Sequence, residues 1–375
     1  MEWKTVKLGE VAVFRTGKLD SNAAVVNGKY PFFTCSPQTL AIDDYAFDQE
    51  AILLAGNNAE GNFNIKFYRG KFNAYQRTYV INPKSDNLDI KYLYYALKIC
   101  LRHFKTISQG TSTRFLTVKL LNNFSISLPP IEEQHRIAAI LSFLDDKIEN
   151  NNRINANLEA QAQALFKSWF IDFEPFDGVV PKTWKEGTLS DIASFNQRKI
   201  GPKFAYPIQY LDTGHLTEGV VEGYQRFNPD DKIPSSARRY VGEGDILFSL
   251  CRPNMRHYGL MMDPPSDIVA STGFAVITAC WSGYRYYIYQ WLKQDGIIEN
   301  IHAVAEQSST TYPTIDVDYL ASMKMIIPSI KDTEKYALLC RDLYSMKESN
   351  YQENLRLATL RDTLLPKLMK GEIAL

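Results

Sequence analysis

The amino-acid sequence predicts an α+β fold: two homologous units, each a stretch of short strands and turns followed by a long helix, with the two helices packed on each other along a shared seam. Three observations predict it. The chain matches itself at two places, its apolar period changes from two to about 3.5 at the same point of each half, and a heptad seam then runs on unbroken.

The first match sets WKTVKLGEVAVF, Trp3 to Phe14, against WKEGTLSDIASF, Trp184 to Phe195, at an offset of 181. The second sets FSISLPPIEEQHRIAAIL from Phe124 against MKMIIPSIKDTEKYALLC from Met323, at an offset of 199. A hydroxyl-rich run precedes the second match both times, QGTSTRFL at Gln109 and QSSTTYPTI at Gln307. The order of elements is therefore the same in both halves.

Each half opens with a stretch rich in Tyr, Phe, Val and Ile and broken by Gly, Asn and Pro, the pattern of short strands and turns. RTYVINPK and GDILFSL are the clearest strands. LPPIEEQ then places paired prolines before an acidic first turn, a helix start. The matching IPSIKDTE is a weaker start, with one proline lost. Residues 1–130 form the first domain, 131–172 a central spacer helix, 173–329 a linker with the second domain, and 330–375 a C-terminal spacer helix. DFEPFDGVVP, Asp172 to Pro181, marks the boundary between the halves.

Leu141, Leu144, Ile148, Asn151, Asn155, Leu158, Ala162, Leu165 and Trp169 step by four and three along the first helix. The second seam runs through Tyr336, Cys340, Leu343, Lys347, Asn350, Asn354, Leu357, Arg361, Leu364 and Leu368. Asn151 and Asn155 recur as Asn350 and Asn354, and asparagine on a seam sets register because its amide is satisfied only opposite another polar group. A helix from about Ile131 to Ile171 is on the order of 60 Å long at about 1.5 Å per residue.

Lys+Arg and Asp+Glu both count 42, so the chain is no polycation, although a local basic groove is compatible with neutrality. No apolar run approaches the roughly 18 residues of a membrane span, and the N-terminus lacks a signal-peptide pattern, so a cytoplasmic location is expected. The five cysteines are scattered with no C-x-x-C pair and read as reduced thiols, not metal ligands. The sequence contains none of the phosphate-loop, dinucleotide, zinc-protease or serine-hydrolase signatures. Asp263-Pro264-Pro265-Ser266 approaches the D-P-P-aromatic loop of adenine methyltransferases, but it lacks the aromatic and a glycine-rich cofactor loop, and reads as a turn. No catalytic residue and no cofactor is expected on this chain.

What remains are glycine-punctuated loops carrying guanidinium, amide and hydroxyl groups, which suit base edges and phosphates. In the first half the candidates are Arg15, Lys18, Asn57, Asn58, Asn64, Lys66, Gln76, Arg77, Thr111, Thr113 and Arg114. In the second they are Gln197, Arg198, Lys199, Arg252, Asn254, Arg256, His257, Ser308, Thr310 and Thr311. Taken singly, each is indistinguishable from an ordinary solvated loop residue. Only their duplicated layout argues for recognition.

The chain resembles the DNA specificity subunit of type I restriction-modification systems over essentially its whole length. The resemblance rests on W-K-x-x-x-L at Trp3 and Trp184, GDILFS at Gly244 followed by RPN at Arg252, LPPIEEQHRIAAIL at Leu128, and LRDTLLPKLMKGEI at Leu360. It implies two target recognition domains, each a mixed α/β globule, separated by two long helices in an antiparallel coiled coil, each domain reading one half of a bipartite asymmetric site in double-stranded DNA. It further implies helices that recruit two adenine methyltransferase subunits, which carry S-adenosylmethionine, and restriction subunits that complete the nuclease. The length fits a whole subunit. In the first half EAILLAGNN stands where the second has GDILFSLCRPN, which leaves the following loops unaligned. Half-sites about one helical turn apart, roughly 34–36 Å, are the natural expectation, and a neutral chain is expected to bind DNA tightly only with its methyltransferase partners. The rival readings are a piece of a single-chain restriction-methylation enzyme, against which no catalytic segment precedes Met1, and a protein-binding scaffold.

Overall fold

The computed structural model describes residues 3–110, 112–201, 204–308, 312–373 and 375. The chain is α+β, with two mixed α/β domains and two 40-residue helices. It divides into two compact units, residues 1–150 with 353–375 and residues 151–352. The division cuts both long helices, so each unit holds one domain and a stretch of each helix.

The first unit runs β1 (Lys4–Lys7), α1 (Leu8–Val11), β2 (Ala12–Thr16), β3 (Tyr30–Phe33), β4 (Leu40–Ile42), β5 (Phe47–Ala55), β6 (Asn57–Asn58), β7 (Ile65–Ala74), β8 (Thr78–Pro83), α2 (Ile90–Ile107), β9 (Arg114–Phe115), α3 (Val118–Asn123), β10 (Ser125–Leu128) and the start of α4 (Ile131–Phe170). Six strands form one sheet in the order β2-β8-β5-β7-β3-β4, antiparallel except for β3 beside β7. Alternation along β5 sends Ile52 and Leu54 to one face and Ala51 and Leu53 to the other. The first face packs on Tyr92, Leu93 and Leu97 of α2, in a core joined by Ile137 and Leu141 of α4 and by Leu365 and Leu368. Asp89 caps α2 by accepting from the Tyr92 amide at 2.7 Å.

The second unit continues with β11 (Lys185–Thr188), β12 (Ala193–Phe195), β13 (Ile208–Leu211), β14 (Leu216–Thr217), β15 (Val220–Val221), β16 (Gln225–Phe227), β17 (Ala237–Tyr240), β18 (Ile246–Ser249), β19 (Tyr258–Leu260), β20 (Ile268–Ser271), β21 (Phe274–Ala279), α5 (Tyr284–Leu292), α6 (Asp295–Ser308), α7 (Val317–Ser322), β22 (Lys324–Ile327) and α8 (Ile330–Met369). Two four-stranded sheets, β12-β21-β18-β19 and β16-β13-β20-β17, enclose Leu211, Leu247, Ile268, Ala270 and Val276 between them. Ile246 and Phe248 point the other way, into a core with α5, α6 and the long helices.

The two sequence repeats meet in space inside each unit. β1 pairs with β10, Lys4 opposite Leu128, and β11 pairs with β22, Lys185 opposite Ile327. The helix that follows is started differently in the two halves. Gln134, fully buried, donates to the carbonyls of Asn87 and Pro129 and accepts from the Asp89 amide. At the same place in α8 stands buried Thr333, and Ser329 caps the helix by accepting from the Asp332 amide at 3.2 Å. The start expected to be weaker has exchanged a proline for a serine cap.

The seams lie inside. In the first unit Arg361 Nη1 donates to Asp145 at 2.6 Å and Lys147 pairs with Glu353 at 3.2 Å, so the two helices run antiparallel there. In the second, Trp169 and Phe170 pack on Tyr336, and Asn155 lies against Asn350, again antiparallel. Asn151 is fully buried, and Asn354 lies half-buried on α8. The long helices thus contribute to the core of each unit. No helix among the described residues is long and apolar enough to cross a membrane.

Candidate nucleic-acid interface

In the first unit the predicted loops meet at one corner of the sheet. The Gly56 amide donates to the Arg77 carbonyl at 2.8 Å, and the Gln76 amide donates to Leu19 at 2.9 Å. Asn57 and Asn58 pair with Phe115 and Arg114, and the Leu116 amide donates to the Gly56 carbonyl at 2.9 Å. Three separate runs, ending at Leu19, Asn58 and Arg77, are thereby gathered against Arg114 and Phe115. A glycine at 56 is required because a Cβ there would stand 2.4 Å from the Arg77 carbonyl oxygen.

Several candidates at this corner are held by other groups of the fold. Asn58 Oδ1 accepts from the amides of Glu60 and Asn62, both at 2.9 Å, and Asn64 Nδ2 donates to Cys35 O at 2.6 Å. Gln76 reaches Asp20 at 3.3 Å. Lys66 Nζ donates to Thr39 at 2.9 Å, and burial lowers its pKa. Asn57 buries an Oδ1 with no hydrogen-bond partner among the described residues. Arg15, Lys18 and Arg77 are exposed, while Thr113 and Arg114 are half-buried, Arg114 donating to the Ser108 carbonyl at 3.3 Å. The Arg77 guanidinium carbon lies 5.4 Å from the Phe115 ring centre. Thr111 lies outside the described residues.

In the second unit the runs after β18 and after α6 meet in the same way. The Arg252 amide donates to the Pro313 carbonyl at 2.8 Å, Cys251 bridges Thr314, and the Ile315 amide donates to Leu250 at 2.9 Å. The Arg252 guanidinium carbon stands 4.5 Å from the centre of the Tyr312 ring, which is 62% exposed. Arg252 and Arg256 both adopt left-handed backbone, at φ of 48° and 57°, bracketing the turn Pro253–Met255. Side chains tolerate that region at a cost of order 1–3 kcal/mol each. Asn254 on that turn is exposed.

The remaining candidates of this half divide sharply. Arg256 donates to Asp295 at 2.5 Å and lies 3.9 Å from Glu218, and the His257 ring sits 2.8 Å from the Leu216 carbonyl and 3.1 Å from Thr217. Ser308 closes α6, its hydroxyl 2.7 Å from the Ala305 carbonyl. Thr310 and Thr311 lie outside the described residues. Arg198 does not join Arg252: it donates to Asp245 at 2.6 Å, beside Gly242 at the start of β18. The Asp245 carboxylate is buried and also accepts from Thr278 at 2.6 Å, so Arg198 completes a structural ion pair. Gln197 and Lys199 stay exposed.

Two functional candidates escaped the sequence reading. Arg238 and Arg239 sit on β17, the edge strand that the Lys199 segment joins: the Ile200 amide donates to Arg238 O and the Tyr240 amide to Arg198 O, both at 3.0 Å. Lys199 stands directly opposite Arg239, a like-charge pair that destabilises a strand pairing. Arg239 buries Nη1 with no acceptor among the described residues, and burial lowers its pKa. The pair RR in ARRYV was the available signal, but nothing in the sequence places it beside NQRK.

Among the described residues no group of three His, Cys, Asp or Glu could hold a metal. A family model described as the type I restriction modification DNA specificity domain matches residues 1–160. The chain is 28% identical to the EcoDI specificity subunit of Escherichia coli over 413 residues, covering 100% of this chain and 89% of that one. It is 30% identical over 172 residues to a putative type I specificity subunit of Mycoplasma pneumoniae, covering 44% of this chain and 67% of that one. The crystal structure of the type I restriction-modification S subunit from M. genitalium shares the fold, at a TM-score of 0.62 and 17% identity, covering 98% of this chain and 96% of that one. With these relatives, its repeats, its paired ribbons and its loop corners, the chain belongs to the specificity subunits of type I restriction-modification systems.

Proposed function

We propose that this chain selects the DNA site of a type I restriction-modification complex in the cytoplasm, each domain reading one half of a bipartite asymmetric site in double-stranded DNA. The observation that carries the reading is the duplicated corner: in each unit, distant loops rich in Arg, Asn and Gln are brought against the same backbone pairing. Base edges are read by side chains on such loops, while phosphates position them. Of the candidates, Arg15, Lys18, Arg77, Gln197, Lys199, Arg252 and Asn254 are exposed. The like-charge pair Lys199 and Arg239 suits phosphate, because an anion there would relieve the repulsion and accept from the Arg239 Nη1 that has no partner among the described residues.

This chain supplies the address and the partners the chemistry. Two adenine methyltransferase subunits would bind the long helices and carry S-adenosylmethionine, and restriction subunits would complete the complex. The test is a methylome by single-molecule sequencing of source cells with and without the gene. Deletion is expected to abolish adenine methylation at one bipartite motif with a fixed internal gap. Methylation unchanged at every motif would overturn the reading.

A further inference from the structure

We propose that Arg77 and Arg252 are the guanine-reading residues of the two domains, each guanidinium held ready over an aromatic ring. The proposal rests on the DNA-recognition reading above and names the residues that would give each half-site its sequence. Arginine can bridge the two acceptors that guanine shows in the major groove, and it does so best when its planar fork is already positioned. The structure supplies that positioning twice: Arg77 lies over Phe115 and Arg252 over Tyr312.

The two rings ride on corresponding segments, and the arginines reach them from different places, Arg77 from the turn before β8 and Arg252 from the paired strand end itself. The Phe115 segment pairs with the strand end at Gly56–Asn58, and the Tyr312 segment pairs with the strand end at Leu250–Arg252. The rings therefore arrive on the same structural element, the run just before the hydrogen bond made by Leu116 or Ile315. Tyr312 is one of the most exposed large aromatics of the second unit, a placement that burial energetics does not favour. A ring that supports a cation from one side and meets a base or sugar from the other accounts for that exposure. Arg198 and Arg256 are drawn into ion pairs within the domain, Arg198 with Asp245 and Arg256 with Asp295 and Glu218. The left-handed backbone at Arg252 also marks the strained conformation that recurs at binding sites.

The experiment compares methylomes of source cells carrying the wild-type gene, Arg77→Ala, Arg252→Ala, Arg252→Lys or Tyr312→Ala. Arg252→Ala is expected to relax discrimination at one guanine position of one half-site by about 10- to 100-fold, and Arg77→Ala to do the same in the other half-site only. Arg252→Lys keeps the charge and the fold but loses the planar fork, so it should relax the same position, less than Arg252→Ala does. Tyr312→Ala should weaken the same position to a smaller degree. An unchanged motif in either alanine variant, full rescue by lysine, or a uniform loss of methylation with the base preference kept would overturn the assignment. No gene-dependent motif in wild-type cells would instead overturn the DNA-recognition reading beneath it.

Discussion

Asn350 donates from Nδ2 to Asn155 Oδ1 at 2.8 Å, and Asn155 Nδ2 donates in turn to the Lys347 carbonyl at 3.2 Å. The antiparallel course of α4 and α8 in this unit sets an earlier-helix asparagine against a later-helix one, so the repeated Asn positions become partners. One hydrogen bond thus joins the two amides in a half-buried seam, and a backbone carbonyl takes the second donor. Asn155→Leu strands the Asn350 amide and is expected to cost about 1–3 kcal/mol, read as a lower thermal midpoint of the full chain. The double change Asn155→Leu with Asn350→Leu should recover most of that loss or exceed it, because a seam asparagine sets register at a cost in stability. A double variant no more stable than the single one would show that the pair is not coupled.

One turn along the same seam, Glu159 is clamped by Lys293 and Lys347 and accepts from Gln290 at 3.0 Å. Burial pushes the Glu159 carboxyl up, but the two ammonium groups more than offset that and hold it at about 2. Its folded pKa lies below the unfolded value, so its stabilisation is full above roughly pH 4.3 and is lost as pH falls towards 2. Glu159→Gln should therefore destabilise the chain at neutral pH by about 3–5 kcal/mol, because Lys293 is left buried without its anion. The difference from wild type should shrink as acid protonates Glu159 in the wild type. A difference independent of pH in thermal unfolding between pH 7 and 3 would contradict the clamp.

The ribbon pairings explain what could be read from the sequence. The two repeats stood out because they are structural partners: the start motif supplies β1 and β11, the later motif β10 and β22, and a pair must keep both members. The helix seam was legible because a period of 3.5 persists over 40 residues. The second sheet of the second unit was not, because its strands are three or four residues long and one of its pairings, β13 with β20, joins segments far apart in the chain. The site was legible only as a set of loops. Arg198 and Arg256 look like exposed readers in a sequence, and their acids, Asp245 and Asp295, lie about 40 residues or more away. A loop side chain's role depends on which distant carboxylate or ring meets it, and local pattern carries no signal for that.

The Gly56 corner offers a sharper test of the first unit. A methyl group at 56 would collide with the Arg77 carbonyl, which is backbone and cannot swing aside as a side chain would. Gly56→Ala is expected to cost about 1–3 kcal/mol in thermal unfolding and to loosen the loop that carries Arg77. Leu250 holds the corresponding place in the second unit, accepting from Ile315 as Gly56 accepts from Leu116. Leu250→Ala should leave that pairing intact, so any change in motif preference should follow Gly56→Ala alone. Equal relaxation by both variants would break the link between this corner and one half-site.

Lys199 and Arg239 make the last prediction. They face each other across a strand pairing, and Arg239 buries Nη1 with no hydrogen-bond partner among the described residues. If phosphate relieves this, the two cations contribute to affinity and not to sequence choice. Each released counterion lowers the slope of log affinity against log salt by about 0.9. The double change Lys199→Gln with Arg239→Gln, made in the purified methyltransferase complex, should flatten the salt dependence of binding to its target duplex by about 1 to 2, while the ratio of target to non-target affinity stays within about twofold. Glutamine also removes the repulsion, so the unbound variant should be no less stable than wild type. A steep, unchanged salt slope would move the phosphate contacts elsewhere on the domain; a collapsed specificity ratio with an unchanged slope would make this edge a base reader.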